Sequence, residues 1–158
     1  MIIICAGAGC STSPYDEEGF SHIDAYAEEM IPATISSLYS LTVWSEAPKD
    51  QTTLDDLQTK AGQIRKINKQ YWTEEMPGKQ EIETWRIERE NQEEKWVIEG
   101  EKLAEALFDL KEASSSLANL LEKAADSRSE DKLQVNLEDF IIDSLDRAEK
   151  LRWLLYRR

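Results

Sequence analysis

From Trp96 onward, residues of one face return at alternating steps of four and three: Trp96, Gly100, Leu103, Leu107, Leu110, Ser114, Leu117, Leu121 and Ala124. Seven of these nine are apolar, which predicts a helix packed along its length. The helical pattern extends back to Lys79, so one helix over 79–126 is expected, possessing 48 residues. At about 1.5 Å per residue it would span about 72 Å, far more than one small domain needs. Such a rod either breaks near Gly100, where glycine costs about 1 kcal/mol against alanine, or projects as an assembly surface.

Earlier in the chain, Ser21 reads as a helix N-cap, with Ile23, Ala27, Met30 and Ile31 on one face ahead of Pro32, which should kink the helix or begin a second one. Ile35, Leu38, Thr42 and Trp44 continue the apolar face, although Leu38 to Trp44 is also rich enough in β-prone residues for a short strand. After the loop at Ala47-Pro48-Lys49-Asp50, Thr53 and Asp56 resemble a capping box. They open a helix with the seam Leu54, Leu57, Ala61, Ile64, Ile67 and Tyr71, which stops at Met76-Pro77-Gly78. Asp126 to Lys132 is a polar connection. Asn136 then caps a last helix with Asp139 at its third position and Leu137, Ile141, Leu145, Ala148, Leu151 and Leu155 on its core face. A second apolar set, Phe140, Ile142, Trp153 and Leu154, lies off that stripe. That helix is therefore expected between two neighbours or at a subunit interface.

The expected architecture is all-α: a bundle of four or five helices, one of them long, behind an extended N-terminal arm at 1–20, with 21–158 a single helical domain. A length of 158 residues suits one core. Charge then narrows the partners. The net charge is -13, and residues 1–50 carry eight acids against one base, residues 76–126 thirteen against seven, while 51–75 and 127–158 balance. A chain so acidic repels a polyanion, so direct nucleic-acid binding is not expected and a basic protein partner is. Cys5 and Cys10 are the only cysteines and no zinc-ligand spacing exists, which points to a reducing cytoplasm. No membrane span is expected.

The N-terminal run Met1 to Pro14 admits three readings. Ala8-Gly9-Cys10-Ser11 looks like a bacterial lipoprotein cleavage site, implying an anchor at Cys10, with little chain ahead of it. Ile2 to Ile4 followed by Gly7-Ala8-Gly9 resembles the first strand and phosphate loop of a dinucleotide-binding fold, as in sirtuin-like proteins, but the further parallel strands that fold requires have no counterpart in the pattern. The third reading is an arm with a β-prone tip.

Carboxylate spacing supplies the sharpest chemical candidate. Glu101, Glu105 and Asp109 recur on one helix face and Asp139, Asp143 and Asp146 on another. Two such faces turned inward would hold magnesium or manganese, an arrangement similar to that of helical nucleotide pyrophosphohydrolases. The family's EExxE and ExxD pair is not matched: Val97 stands where Glu93-Glu94 requires the third glutamate, and Glu105 and Asp109 are one residue too far apart. A di-iron bundle needs more than the single histidine, His22, and no nucleophile elbow exists. His22 is expected on the surface of a first helical turn. The alternative reading of rows with i, i+4 partners such as Asp143 and Arg147 is a solvated, paired face.

Most of the five tryptophans are expected in the core, but Trp72 and Trp85 flank the Pro77-Gly78 turn amid Glu74, Glu75, Glu81 and Glu83. Those six residues form the candidate partner site, an acidic patch with aromatic anchors. The functional expectation is a non-enzymatic, acidic, cytoplasmic protein-interaction module that needs no cofactor. It would bind a basic partner, as an assembly adaptor or as an inhibitor presenting carboxylates where phosphates would lie, or form a homo-oligomer. The alternatives are the metal-dependent hydrolase and the short lipoprotein.

Overall fold

In a computed structural model, which describes residues 17–157, a long repeat of buried positions runs through the first helix, α1 (Glu17–Glu46). Phe20, Ile23, Ala27, Met30, Thr34, Ser37, Leu41 and Trp44 are all buried and keep their three-four phase across Pro32. The helix runs through this proline without ending. Pro32 removes one backbone donor on the exposed side, and the packed face on the other holds the helix together. The β-prone stretch from Leu38 to Trp44 is helical for the same reason. Ser21 is not the N-cap, since α1 is already helical at Glu17, within the last four residues assigned to the arm. Cys5, Cys10 and the Gly7–Gly9 segment lie outside the described residues.

Helix α2 (Gln51–Tyr71) begins two residues before Thr53. Asp50 is the N-cap, and the Thr53 hydroxyl donates back to the carbonyls of Ala47 and Asp50 at 3.1 and 2.8 Å. Its inward face follows the expected seam, with Leu54, Leu57, Ala61 and Ile64 buried and Ile67 and Tyr71 at the core's edge.

The single helix expected over 79–126 does not form. In its place stand a short helix α3 (Lys79–Glu83), an antiparallel hairpin of β1 (Arg86–Asn91) and β2 (Glu94–Glu99), and a helix α4 (Gly100–Ser127). The hairpin pairs Ile87 with Ile98 and Arg89 with Trp96 across a two-residue loop in which Gln92 takes a φ of 42°. A positive φ in such a loop matches the twist of the flanking strands. Trp85, Ile87 and Ile98 are buried while Arg86, Glu88 and Lys95 face outward, an alternation of period two that belongs to a half-buried strand. Glu, Lys, Arg and Gln dominate the segment and favour helix locally, but burial of its alternate positions outweighs that preference. Arg89, on the inner face, pairs with Asp24 of α1 at 3.2 Å and lies 4.9 Å from the Phe20 ring centre. Burial outweighs that arginine and holds the Asp24 carboxyl above its ordinary range.

Gly100 is not a hinge within a helix but the first residue of α4. Its N–H donates to the Trp85 carbonyl at 2.8 Å. A Cβ there would sit 1.9 Å from the Ile82 carbonyl oxygen and 2.7 Å from the Trp85 nitrogen and oxygen. Glycine is required because the turn from Ile82 to Trp85 passes directly against the backbone at this point. From Gly100 onward the seam holds, with Leu103, Leu107, Leu110, Ser114, Leu117, Leu121 and Ala124 all buried.

A 3-10 turn (Glu130–Leu133) leads to α5 (Leu137–Tyr156). Asn136 caps it as expected, its Oδ1 accepting from the Asp139 N–H at 3.0 Å. The chain is thus a helical bundle with a small two-stranded sheet, and its buried apolar residues form one core. Helix α4 packs against α2, α5, α3 and β2, and α1 against α2 and α5. A polar relay crosses this core: Tyr26 donates to Asn68 Oδ1 (3.0 Å), the Asn68 amide donates to Ser114 Oγ (3.0 Å), and Ser114 donates to the Lys111 carbonyl (2.8 Å). Each member satisfies the next, which explains a serine within an otherwise leucine seam. Burial raises the Tyr26 pKa to about 12.

Candidate functional site

The loop after α2 is fixed from within. Trp72 ends the helix, its N–H bonded to the Asn68 carbonyl at 2.9 Å, and the Met76 N–H bonds to the Thr73 carbonyl at 3.1 Å. Met76 and Pro77 are buried and pin the loop to the core, leaving Glu74 and Glu75 outside. The Thr73 hydroxyl bonds the Glu75 carboxylate, and this bond above all lowers the Glu75 pKa. Glu81 is exposed on α3. Together with His22 of α1, these acids line a concavity of about 450 Å³ whose apolar lining is Met76 and Pro77. Among the described residues, no Lys or Arg lines it.

Expected on the surface of a first helical turn, His22 lies instead half-buried, further into α1. Its Nε2 is 2.8 Å from the Tyr71 carbonyl oxygen, which can only accept, so this nitrogen carries the proton. Tyr71 in turn donates its hydroxyl to Glu29, the main reason its own pKa is raised. The start of α1 and the end of α2 are therefore tied together beneath the acids.

Of the six candidate partner residues, Glu74, Glu75 and Glu81 come together. Glu83 is exposed but does not line the concavity. The tryptophans are not offered as anchors. Trp85 is only 6% exposed, and Trp72 packs edge-on against Tyr26 and Phe108 at 5.6 and 5.0 Å, with the Lys111 ammonium 4.1 Å from its ring centre. Both consolidate the core beneath the site.

The two carboxylate rows meet a different fate. Helices α4 and α5 do pack together, but α5 answers the acids of α4 with cations. Lys150 pairs with Glu105 at 3.4 Å, and Arg147 pairs with Asp109 at 3.6 Å and with Asp143 at 3.0 Å. Glu101 and Asp139 are exposed. Among the described residues, no group of three or more His, Cys, Asp or Glu side chains is arranged to hold a metal ion. Glu105 and Asp109 thus tie α4 to α5 by ion pairs, while Asp143 pairs within its own helix.

Two surfaces had weak signals in the chain. Between α1 and α5 runs a groove of about 530 Å³ lined by Ala27, Ile31, Pro32, Ile35, Arg152 and Tyr156; nothing local announces a groove made by two distant helices. On α5 itself, Ile142, Leu145 and Trp153 are 51%, 37% and 53% exposed. Their excess over a single core stripe was the legible sign, although Leu145 was expected on the core face. Among the described residues no helix is long and apolar enough to cross a membrane. Comparison with protein-family models, curated proteins and solved structures finds no match to this chain.

Proposed function

We propose that this is a non-enzymatic protein-interaction module of the cytoplasm that receives a basic segment of a partner protein at the end of the bundle bounded by α3 and the loop after α2. One observation carries the reading: Glu74, Glu75 and Glu81 line a concavity whose apolar lining is buried and to which no described Lys or Arg contributes. Elsewhere many acids of the chain are spent on internal pairs, such as Glu105 with Lys150 and Asp109 with Arg147. Here two carboxylates are turned outward on a loop held by its own hydrogen bonds and the third on the adjoining helix α3, so little ordering entropy is lost on binding. A lysine or arginine side chain lies its stem on Met76 and Pro77 while its charge meets the acids. The same chemistry serves an adaptor in an assembly or an inhibitor that occupies a nucleic-acid-binding surface.

Calorimetric titration with a Lys- and Arg-rich peptide tests this directly. Binding should weaken from low to high salt and disappear in a variant carrying Glu74→Lys, Glu75→Lys and Glu81→Lys, whereas Glu83→Lys alone should change it little. Binding that survives the triple reversal would overturn the assignment of the site.

A further inference from the structure

Among the described residues, helix α5 has a second apolar face that nothing covers. Ile142 and Trp153 are each about half exposed and Leu145 over a third, and residues 142, 145, 149 and 153 follow one another at steps of three and four along the outside of the helix. That spacing describes a stripe able to pack against another helix. Large exposed apolar groups gathered on one stripe mark a contact surface.

The charges beside the stripe are sorted by position. Glu138, Asp139, Asp143 and Asp146 occupy the first half of α5, while Arg147, Lys150, Arg152 and Arg157 dominate from its middle to its end, with Glu149 the one acid among them. Residues 127–158 as a whole balance at seven acids and seven bases within a chain of net charge -13. A second copy approaching along residues 76–126 meets a stretch with thirteen acids against seven bases. At α5, where five acids and three bases lie within the helix, it meets opposite signs at the two ends.

We infer that two copies of the chain pair through α5, antiparallel about a twofold axis near its middle. In this arrangement the acidic half of each helix lies along the basic half of the other, and Trp153 of each packs over the Ile142 and Leu145 region of its mate. The reverse, parallel pairing sets acid against acid and base against base. Antiparallel order also opposes the helix dipoles, and a twofold contact is by nature self-complementary.

Helix α5, with 20 residues, is about 30 Å long. Alone it presents too narrow a surface for a stable dimer. The surface continues onto α1, where Pro32 and Ile35 line the groove shared with Arg152 and Tyr156, and Tyr39, one turn beyond Ile35, is 72% exposed. Two helices about 10 Å apart and about 30 Å long offer roughly 600 Å² per partner, the low end of what specific interfaces bury. A reversible dimer follows.

Sedimentation velocity over a concentration series, with circular dichroism on the same samples, is the test. The wild-type chain should shift from monomer to dimer. Trp153→Glu should remain monomeric with an unchanged helical spectrum. Asp146→Arg and Lys150→Glu should each weaken the dimer about tenfold or more. Mixing those two variants should restore a heterodimer, because positions 146 and 150 are then both cationic in one copy and both carboxylates in the other, and each cation faces a carboxylate across the twofold contact. A monomer at every concentration, or a dimer that persists in Trp153→Glu, overturns the inference. A mixture that fails to restore pairing overturns its antiparallel geometry. None of these residues lines the acidic concavity, so peptide binding there is read independently.

Discussion

Helices α4 and α5 both carry more apolar residues than one contact stripe requires, yet they end in opposite situations. In α4 the buried surplus is mostly small: Ala104, Ala106, Ala118 and Ala125, with Leu120 the one large residue, flank the leucine seam and are buried because neighbours crowd this helix from several directions. In α5 the surplus is large and outward, Ile142 and Trp153, and no element of the described chain covers it. Small side chains beside a seam admit a close neighbour within the same molecule. Large ones on the opposite face have no neighbour within the described chain. The width of an apolar arc thus sets how many neighbours a helix needs.

Substitutions can break this contrast at several strengths. The severest should be Gly100→Ala at the start of α4, where the added methyl meets the Ile82 carbonyl and can be relieved only by moving backbone. A loss of at least about 3 kcal/mol is expected, read as a fall in melting temperature of several degrees or more. Leu110→Ala, at a fully buried seam position, should cost about 2–5 kcal/mol in denaturant unfolding. Ser114→Ala removes the acceptor of the Asn68 amide and should cost about 1–2 kcal/mol in the same measurement. On the other helix, Asn136→Ala removes the cap bonded to the Asp139 N–H, for about 1 kcal/mol. Smallest of all, Trp153→Ala should leave monomer stability within about 0.5 kcal/mol. A large thermal shift for the Trp153 variant at concentrations where the protein is monomeric would erase the distinction between the two helices.

Legibility followed the strength of local signals. The α2 seam, the α4 seam from Gly100 and the Asn136 cap were readable because each depends on residues within a few turns of one another. The hairpin was not, because Trp96 to Gly100 is a step of four that fits a helical repeat as well as the end of a strand. Its inner positions, Trp85, Ile87, Trp96 and Ile98, acquire their meaning only when β1 and β2 pair. At Pro32 the sequence allowed either a kink or a second helix, and the buried repeat on its far side carries one helix, α1, through it. At the candidate site the glutamates were legible as a cluster, whereas the burial of Trp72 and Trp85 was not, because it depends on Tyr26, Phe108 and the core that gathers them.

By itself, the sequence determined the helical class, the inward faces of α2 and α4, the acidity and the apolar excess of α5, since hydrophobic period, capping and charge act over short distances. Tertiary structure alone decided that 86–99 is a hairpin, that Gly100 serves a close backbone approach, and that Glu105 and Asp109 meet Lys150 and Arg147 rather than other carboxylates. Each of these depends on which distant segment lies opposite, and a one-dimensional pattern does not encode the facing partner.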